Sequence, residues 1–371
     1  MAIPWDEVRK DFPALERRVY LNAAATGLPP PTVRPAVEAF YRALEEGGDV
    51  PWDDWMARRE EVRARVAGLI GAEAEEIAFT TNTSTGMNLI VDLLATDGPV
   101  LSDELEFPAV TIPWIHRGVH VNFVPAVEGI LRLESFMKPY APRAATIAIS
   151  HVQFSNGCRQ DLDAFGLVKD DRHLVVSASQ SLGAFAIDVR RSGIDGLACA
   201  GHKWLGAGYG AGFVFIRGGL LVSRPPRALG WLSVERPFDF DNREFTVVTG
   251  NRRTELGCPP FPAIFALGAA VDYLMGLGVA EIEKRVLELN TYLTERLAKA
   301  EIPILSPEGA YRSGETLCAV ADPTRAAAFL RERRIEVTAK PEGVRISTHY
   351  YNSEQDVDTC VEALGEYSRV S

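Results

Sequence analysis

Cysteine is scarce in this 371-residue chain. The five, Cys158, Cys199, Cys258, Cys318 and Cys360, lie far apart, with no CxxC pair and no metal-type spacing. That pattern argues against a disulfide framework and against a zinc site. It fits a reducing compartment, read here as the cytoplasm. Long apolar runs are also missing. The longest, Pro262 to Val279, contains Asp272 and three glycines, so it reads as a buried helix rather than a membrane span. The first residues, Met1 to Asp11, hold no apolar stretch of the signal-peptide kind. Positive charge is in deficit: 39 Lys and Arg against 50 Asp and Glu leave a net charge of -11. That speaks against nucleic acid or an anionic membrane as partner.

What is present is a pattern of alternation. With 47% hydrophobic residues the chain can bury a large core, and its length suggests two domains. Strands are expected at Val19–Asn22, Glu76–Thr80, Val100–Ser102, His120–Val124, Ala145–His151, Leu174–Ser177, Leu197–Cys199 and Gly212–Ile216. The unbroken Leu174-Val175-Val176 suits a strand covered on both faces. Helices are expected over 5–18, Thr32–Glu46, Asp54–Ile70, Gly86–Leu94, Pro262–Gly278 and Val279–Ala300, with a Pro- and Arg-rich loop region from Arg224 to Arg253. The tail reads strand (Thr316–Ala321), helix (Pro323–Arg333), strand (Ile335–Ala339), strand (Val344–Thr348), helix (Ser353–Tyr367). The whole implies an α/β architecture with a mostly parallel sheet and a small α+β tail.

Three stretches carry chemistry. Thr83-Ser84-Thr85 sits where a strand gives way to a helix, and its free N–H groups and hydroxyls suit a phosphate. A plain helix cap would use the same residues. Ser177-Ala178-Ser179-Gln180-Ser181 follows a buried strand, at the strand end where open α/β sheets hold ligands; turn residues would look alike. The third runs from Ala198 to Gly206 and sets Lys203 between His202 and Trp204. Desolvation lowers the pKa of such a lysine, and the free amine can form a Schiff base with a carbonyl. Phosphate site, polar strand end and shielded lysine on one sheet are together what pyridoxal phosphate (PLP) requires.

These stretches resemble the class V aminotransferase family of fold-type I PLP-dependent enzymes. That family includes cysteine desulfurases, selenocysteine lyases, isopenicillin-N-epimerase-like proteins and kynureninases. The similarity starts at Tyr20-Leu21-Asn22 and passes through Phe79 to Thr85, Glu106-Phe107-Pro108, Ser150-His151-Val152, Ser179 to Gly183 and Gly201-His202-Lys203. It closes at Arg345 to Asn352. The resemblance implies a seven-stranded sheet flanked by helices, a large PLP-binding domain over residues 20–250, and a small α+β domain made of 1–19 and 251–371. Lys203 would be the Schiff-base lysine. Thr83 and Ser84 would hold the phosphate, with His202 beside it. Phe107 would stack on the pyridine ring, and Gln180 would hydrogen-bond its phenolic oxygen. Arg345 would clamp the substrate α-carboxylate, for which a guanidinium fork is suited. Asn22 would lie at the pocket mouth. His151 would lie under the sheet, where a satisfied core histidine fits equally. The resemblance also implies a small amino-acid substrate and a homodimer with interfacial active sites.

Four positions depart from the family pattern. Ser177 stands where an Asp usually keeps the pyridine nitrogen protonated, so a weaker electron sink is expected. Ala200 replaces a frequent hydroxyl residue. Cys258, in Gly257-Cys258-Pro259, replaces the Thr with which one subunit reaches its neighbour's phosphate. Phe154 replaces an Asn facing the ring. The loop before Arg345, residues 334–343, has no cysteine of the kind a desulfurase uses, and Cys318 reads as inert packing. The expected function is a PLP-dependent lyase acting by β-elimination (C–S lyase-like) without a catalytic cysteine. The alternatives are an aminotransferase or epimerase, or a degenerate non-catalytic member.

Overall fold

The computed structural model describes residues 3–137 and 143–370. Met1, Ala2 and Ser371, at the ends of the expected small domain, lie outside the described residues. The strands in chain order are β1 (Val19–Tyr20), β2 (Ile77–Thr80), β3 (Val100–Asp103), β4 (Val121–Val124), β5 (Thr146–Ser150), β6 (His173–Ser177), β7 (Gly196–Ala200), β8 (Gly212–Ile216), β9 (Glu315–Cys318), β10 (Ile335–Glu336), β11 (Thr338–Lys340) and β12 (Gly343–Ser347). Seven of them form one sheet in the order β2-β8-β7-β6-β5-β3-β4, parallel except for β8, which runs against both neighbours.

Strands β5, β6, β7 and β8 are buried along their whole length or nearly so, which explains their near-continuous Ile, Val, Leu and Phe content. Helix Thr83–Leu94 covers one face. It comes so close to β7 that a Cβ on Gly86 would stand 2.9 Å from the Ala198 Cβ, and this approach is what the glycine permits. Helices Trp52–Ile70 and Phe261–Leu277 pack over the other face through Val62, Val66, Ile264, Leu267 and Val271.

A second sheet, β11-β12-β9, is antiparallel and packs on helices Val279–Lys299, Pro323–Glu332 and Glu354–Val370 through Leu293, Leu330, Val344, Ile346, Val357 and Leu364. Short parallel pairing of β1 with β10 ties the start of the chain to this region. Among the described residues, no single helix is long and apolar enough to cross a membrane. The pair Phe261–Leu277 and Val279–Lys299 bends by 78° at its break, where Gly278 takes a positive φ.

The structure corrects four expectations. The helix over 5–18 is only Trp5–Arg9, followed by a 3-10 turn from Pro13, because proline cannot donate to the preceding turn. The helix at 83 starts at Thr83, one turn earlier than expected, because Asn82 caps it, its Oδ1 accepting from Thr85 N at 3.0 Å. The strand over Ile335–Ala339 is two strands with different partners. The tail strand runs Glu315–Cys318, which brings a glutamate into it at the first position.

Candidate active site

Parallel strands deliver their C-terminal ends to one edge. Here β2, β3, β5, β6 and β7 open on the same edge. They present Thr80–Thr83, Asp103–Phe107, Ser150–Phe154, Ser177–Gln180 and Ala200–Lys203 in turn. Register aligns Ser150 with Ser177 and Ser177 with Ala198. Lys203 follows β7 in a tight turn held from both sides. Gly27 N donates to the His202 carbonyl at 2.9 Å, and a Cβ on Gly27 would overlap the Lys203 carbonyl. Behind the turn, His349 Nε2 meets the Trp204 carbonyl at 2.9 Å, and Gly314 lies flat against the Trp204 ring.

The Lys203 amine is pushed down to about 8. Burial is the main cause. Glu315 opposes it, and the positive charge of Arg345 and Lys340 adds to it. Its Nζ stands 5.7 Å from the Phe107 ring centroid. His202 stacks on Tyr209 at 4.8 Å, and burial together with Lys203 keeps its imidazole from taking a proton readily. Tyr209 in turn bonds Thr26.

Thr83 opens its helix with its Oγ1 hydrogen-bonded to Ser179 Oγ, which also accepts from Ala200 N at 3.2 Å. Thr83 is buried, whereas Ser84 is exposed and its carbonyl accepts from Asn88. The sequence singled out Thr83 and Ser84 together; the structure ties only Thr83 to the Ser179 corner. Ser177 ends β6, buried, with its carbonyl accepting from His151 N. Gln180 donates Nε2 to the Ala24 carbonyl at 3.1 Å and accepts from Trp204 Nε1 at 3.0 Å, which leaves one amide N–H for a ligand.

Phe107 is held by the turn after β3. Glu106 accepts from Phe107 N and from Ser150, and Gln153 Nε2 links it to Asp103. Burial raises both carboxyls, Asp103 to about 9. The Phe107 and Phe154 rings meet edge to face at 5.0 Å. Arg345 is buried and donates Nη1 to the Phe154 carbonyl at 2.8 Å. Asn22 accepts from Thr338 Oγ1 at 2.6 Å, where the start of the chain meets the second sheet. His151 lies apart, its ring beside Phe185 and its buried Nδ1 without a hydrogen-bond partner among the described residues; burial pushes it down to about 3. It lines a cleft of about 260 Å³ with Arg159, Asp163, Arg191 and Glu283. Cys258 is exposed and the other four cysteines are buried.

Sequence reasoning missed two site residues. Glu315 is fully buried, with Oε2 3.1 Å from Arg345 Nη1, and burial pushes it up to about 7 against the pull of Arg345, Lys203 and Lys340. Lys340 lies with Nζ 4.4 Å from the Phe154 ring centroid, pushed down to about 8. The signal that could have found them is period two: each lies on a strand of the sheet that carries Arg345.

The chain belongs to the class V aminotransferase family, which it matches over residues 19–360. It is a PLP-dependent enzyme of fold-type I, and its cofactor is pyridoxal 5'-phosphate. It is 25% identical to an uncharacterized aminotransferase, YcbU, of Bacillus subtilis, over 97% of each chain. The apo structure of a cysteine desulfurase from Thermococcus onnurineus NA1 superposes with a TM-score of 0.91 at 27% identity, covering 100% of this chain and 99% of that one. The cystine C–S lyase C-DES shares the fold at 22% identity, with a TM-score of 0.87 over 96% of this chain and 99% of its own.

The residues fit the cofactor. A desolvated amine, a buried hydroxyl pair at the start of a twelve-residue helix, and an aromatic ring beside the amine occupy one strand-end edge. Ser177, buried at the end of β6, brings no charge to this edge.

Proposed function

We propose that the chain is a lyase that releases a leaving group from the β-carbon of a small amino acid, working without a catalytic cysteine. The observation that carries this reading is the desolvated Lys203 amine facing Phe107 and the Arg345–Phe154 corner. When bound, PLP supplies the electron sink for the bonds at the α-carbon. Lys203 Nζ would hold the cofactor and move the α-carbon proton, for which a pKa near 8 is suited. Thr83 and the free N–H groups of its helix would take the phosphate, with Ser84 and His202 at its edge. Phe107 would cover the ring, Ser177 would face its nitrogen, and Gln180 would give its remaining N–H to the phenolic oxygen. Arg345 would take the α-carboxylate, and Asn22 would close the mouth.

A weak sink favours elimination, because the leaving group carries the electrons away. The cysteines support the same reading: Cys318 and Cys360 are buried, with thiols pushed up, and none lies on 334–343. Transamination is the second reading, favoured by the Bacillus relative. The proposal includes a large domain over 20–250, a small one from 1–19 and 251–371, and a homodimer in which the exposed Cys258 turn of one copy reaches the other's phosphate site. Purified enzyme incubated with a panel of amino acids decides: pyruvate and ammonia support elimination, whereas a keto acid formed only with an acceptor present supports transamination.

A further inference from the structure

Across the second sheet runs a charged row in which the motifs mark only Arg345. Arg345 stands on the central strand β12, opposite Leu317 on β9 and Thr338 on β11. Residues two apart share a strand face. Glu315 and Lys340, each two positions from those neighbours, therefore rise on the face of Arg345 at opposite diagonals, within reach of long side chains. Both cationic heads close on one residue, Arg345 at the Phe154 carbonyl and Lys340 over the Phe154 ring. Glu315 grips Arg345 from the other diagonal. Lys340 has no ion-pair partner among the described residues, and the buried Arg345 Nε has no hydrogen-bond partner among them.

We propose that Arg345 and Lys340 form one two-cation clamp for a single substrate carboxylate, that Glu315 positions Arg345 within it, and that the substrate is an amino acid with an uncharged side chain. This rests on the reading of the cleft as an amino-acid site. The charge count carries the substrate class. With Lys203 taken up by the cofactor, and above pH 7, where Glu315 is mostly ionised, Arg345, Lys340 and Glu315 sum to one positive charge, and one carboxylate brings the trio to neutrality. A second acid leaves an anion without a partner in a desolvated cleft, which is costly. The rings of Phe107 and Phe154 offer the side chain an apolar wall. Lys340 is lowered by burial and then by Arg345, against the opposing pull of Glu315 and Glu342. Its charge fades as pH rises through about 8, and carboxylate affinity falls with it.

The test titrates the cofactor-loaded enzyme with L-alanine and L-aspartate just above neutrality, read by the cofactor's absorbance. In parallel, the cofactor-free protein is melted with propionate, so that a failure to load the cofactor, which would refute the proposed function, still leaves the clamp measured. K340M should weaken alanine binding roughly tenfold to a hundredfold, remove the thermal shift with propionate, and abolish the affinity limb near pH 8. The wild type should prefer alanine to aspartate by about tenfold or more. E315Q should move that preference towards aspartate, and E315D should restore it. A K340M protein that binds alanine and propionate within twofold of wild type overturns the clamp. A wild type that binds aspartate as tightly as alanine overturns the substrate class.

Discussion

The two sheets furnish the cleft by opposite devices. The seven-stranded sheet works through its strand ends: Thr83, Phe107, Ser177 and Lys203 each follow a strand that stops at the same edge. Their neighbours in space are neighbours in local motifs, and they are mostly hydroxyls, rings and backbone groups. The three-stranded sheet works through a strand face, where Glu315, Arg345 and Lys340 come from three strands and are set by cross-strand register. Strand ends make a cradle for a group of fixed shape. A strand face makes a charge pattern that can change one residue at a time, without touching the cradle.

The comparison breaks most visibly at Lys203. Lys203→Ala should lower the turnover rate by roughly a thousandfold or more, since on the proposed reading one group both holds the cofactor and moves the proton. Borohydride reduction followed by peptide mapping should tag Lys203 in the wild type; a tag on another lysine would contradict the whole edge-centred reading.

On the strand face the expected effect is on stability as much as on binding. Arg345→Met leaves Glu315 buried without its partner, and breaking a buried pair in this way costs about 3–5 kcal/mol. Adding Glu315→Leu should recover most of that stability, seen in denaturant midpoints, while substrate affinity stays lost. If the double variant remains as unstable as the single, the pair is not what the sheet depends on.

His151 sharpens the contrast from inside the large sheet. Its folded-state value near 3 lies below the ordinary 6.5. As pH falls below 6.5 the unfolded chain takes up the proton first, so the histidine withdraws stability between about pH 6.5 and 3. His151→Gln should flatten that part of the stability-against-pH curve and leave the region above pH 7 unchanged. A curve of unaltered slope would mean that the buried ring finds a proton-sharing partner.

What was legible in the sequence divides along the same line. The seven strands, Lys203 and Thr83 could be read because each is marked by residues adjacent in the chain: an unbroken apolar run, a glycine, a cap. Glu315 and Lys340 could not, because register across β9, β12 and β11 decides their face, and the chain reads as a single strand where β10 and β11 part company at Val337. Helix Pro108–His116 escaped notice because Pro113, its sixth residue, reads as a breaker; the helix forms all the same and ends three residues later. Gly27 gave no signal either; its role is to let the Lys203 carbonyl approach.

The smallest expected effect concerns Ser177, the one cradle position where charge is missing. It ends β6 between Ser150 and Ala198 in register, buried, and on the proposed reading it would face the ring nitrogen without a carboxylate. The nitrogen then keeps its own low basicity. Ser177→Asp would place an ionised partner there, and pair interactions of this kind shift a pKa by about one to three units. A tenfold change in the partition between elimination and transamination needs only about 1.4 kcal/mol, well within that range. The substitution should therefore move the cofactor's absorbance and raise keto acid relative to pyruvate by roughly tenfold. Two buried acids of the same edge are already engaged: Asp103 and Glu106 both accept from Gln153 Nε2, and Glu106 also accepts from Ser150. An unchanged spectrum and product ratio in Ser177→Asp would remove Ser177 from the ring and, with it, the chief support for elimination over transamination.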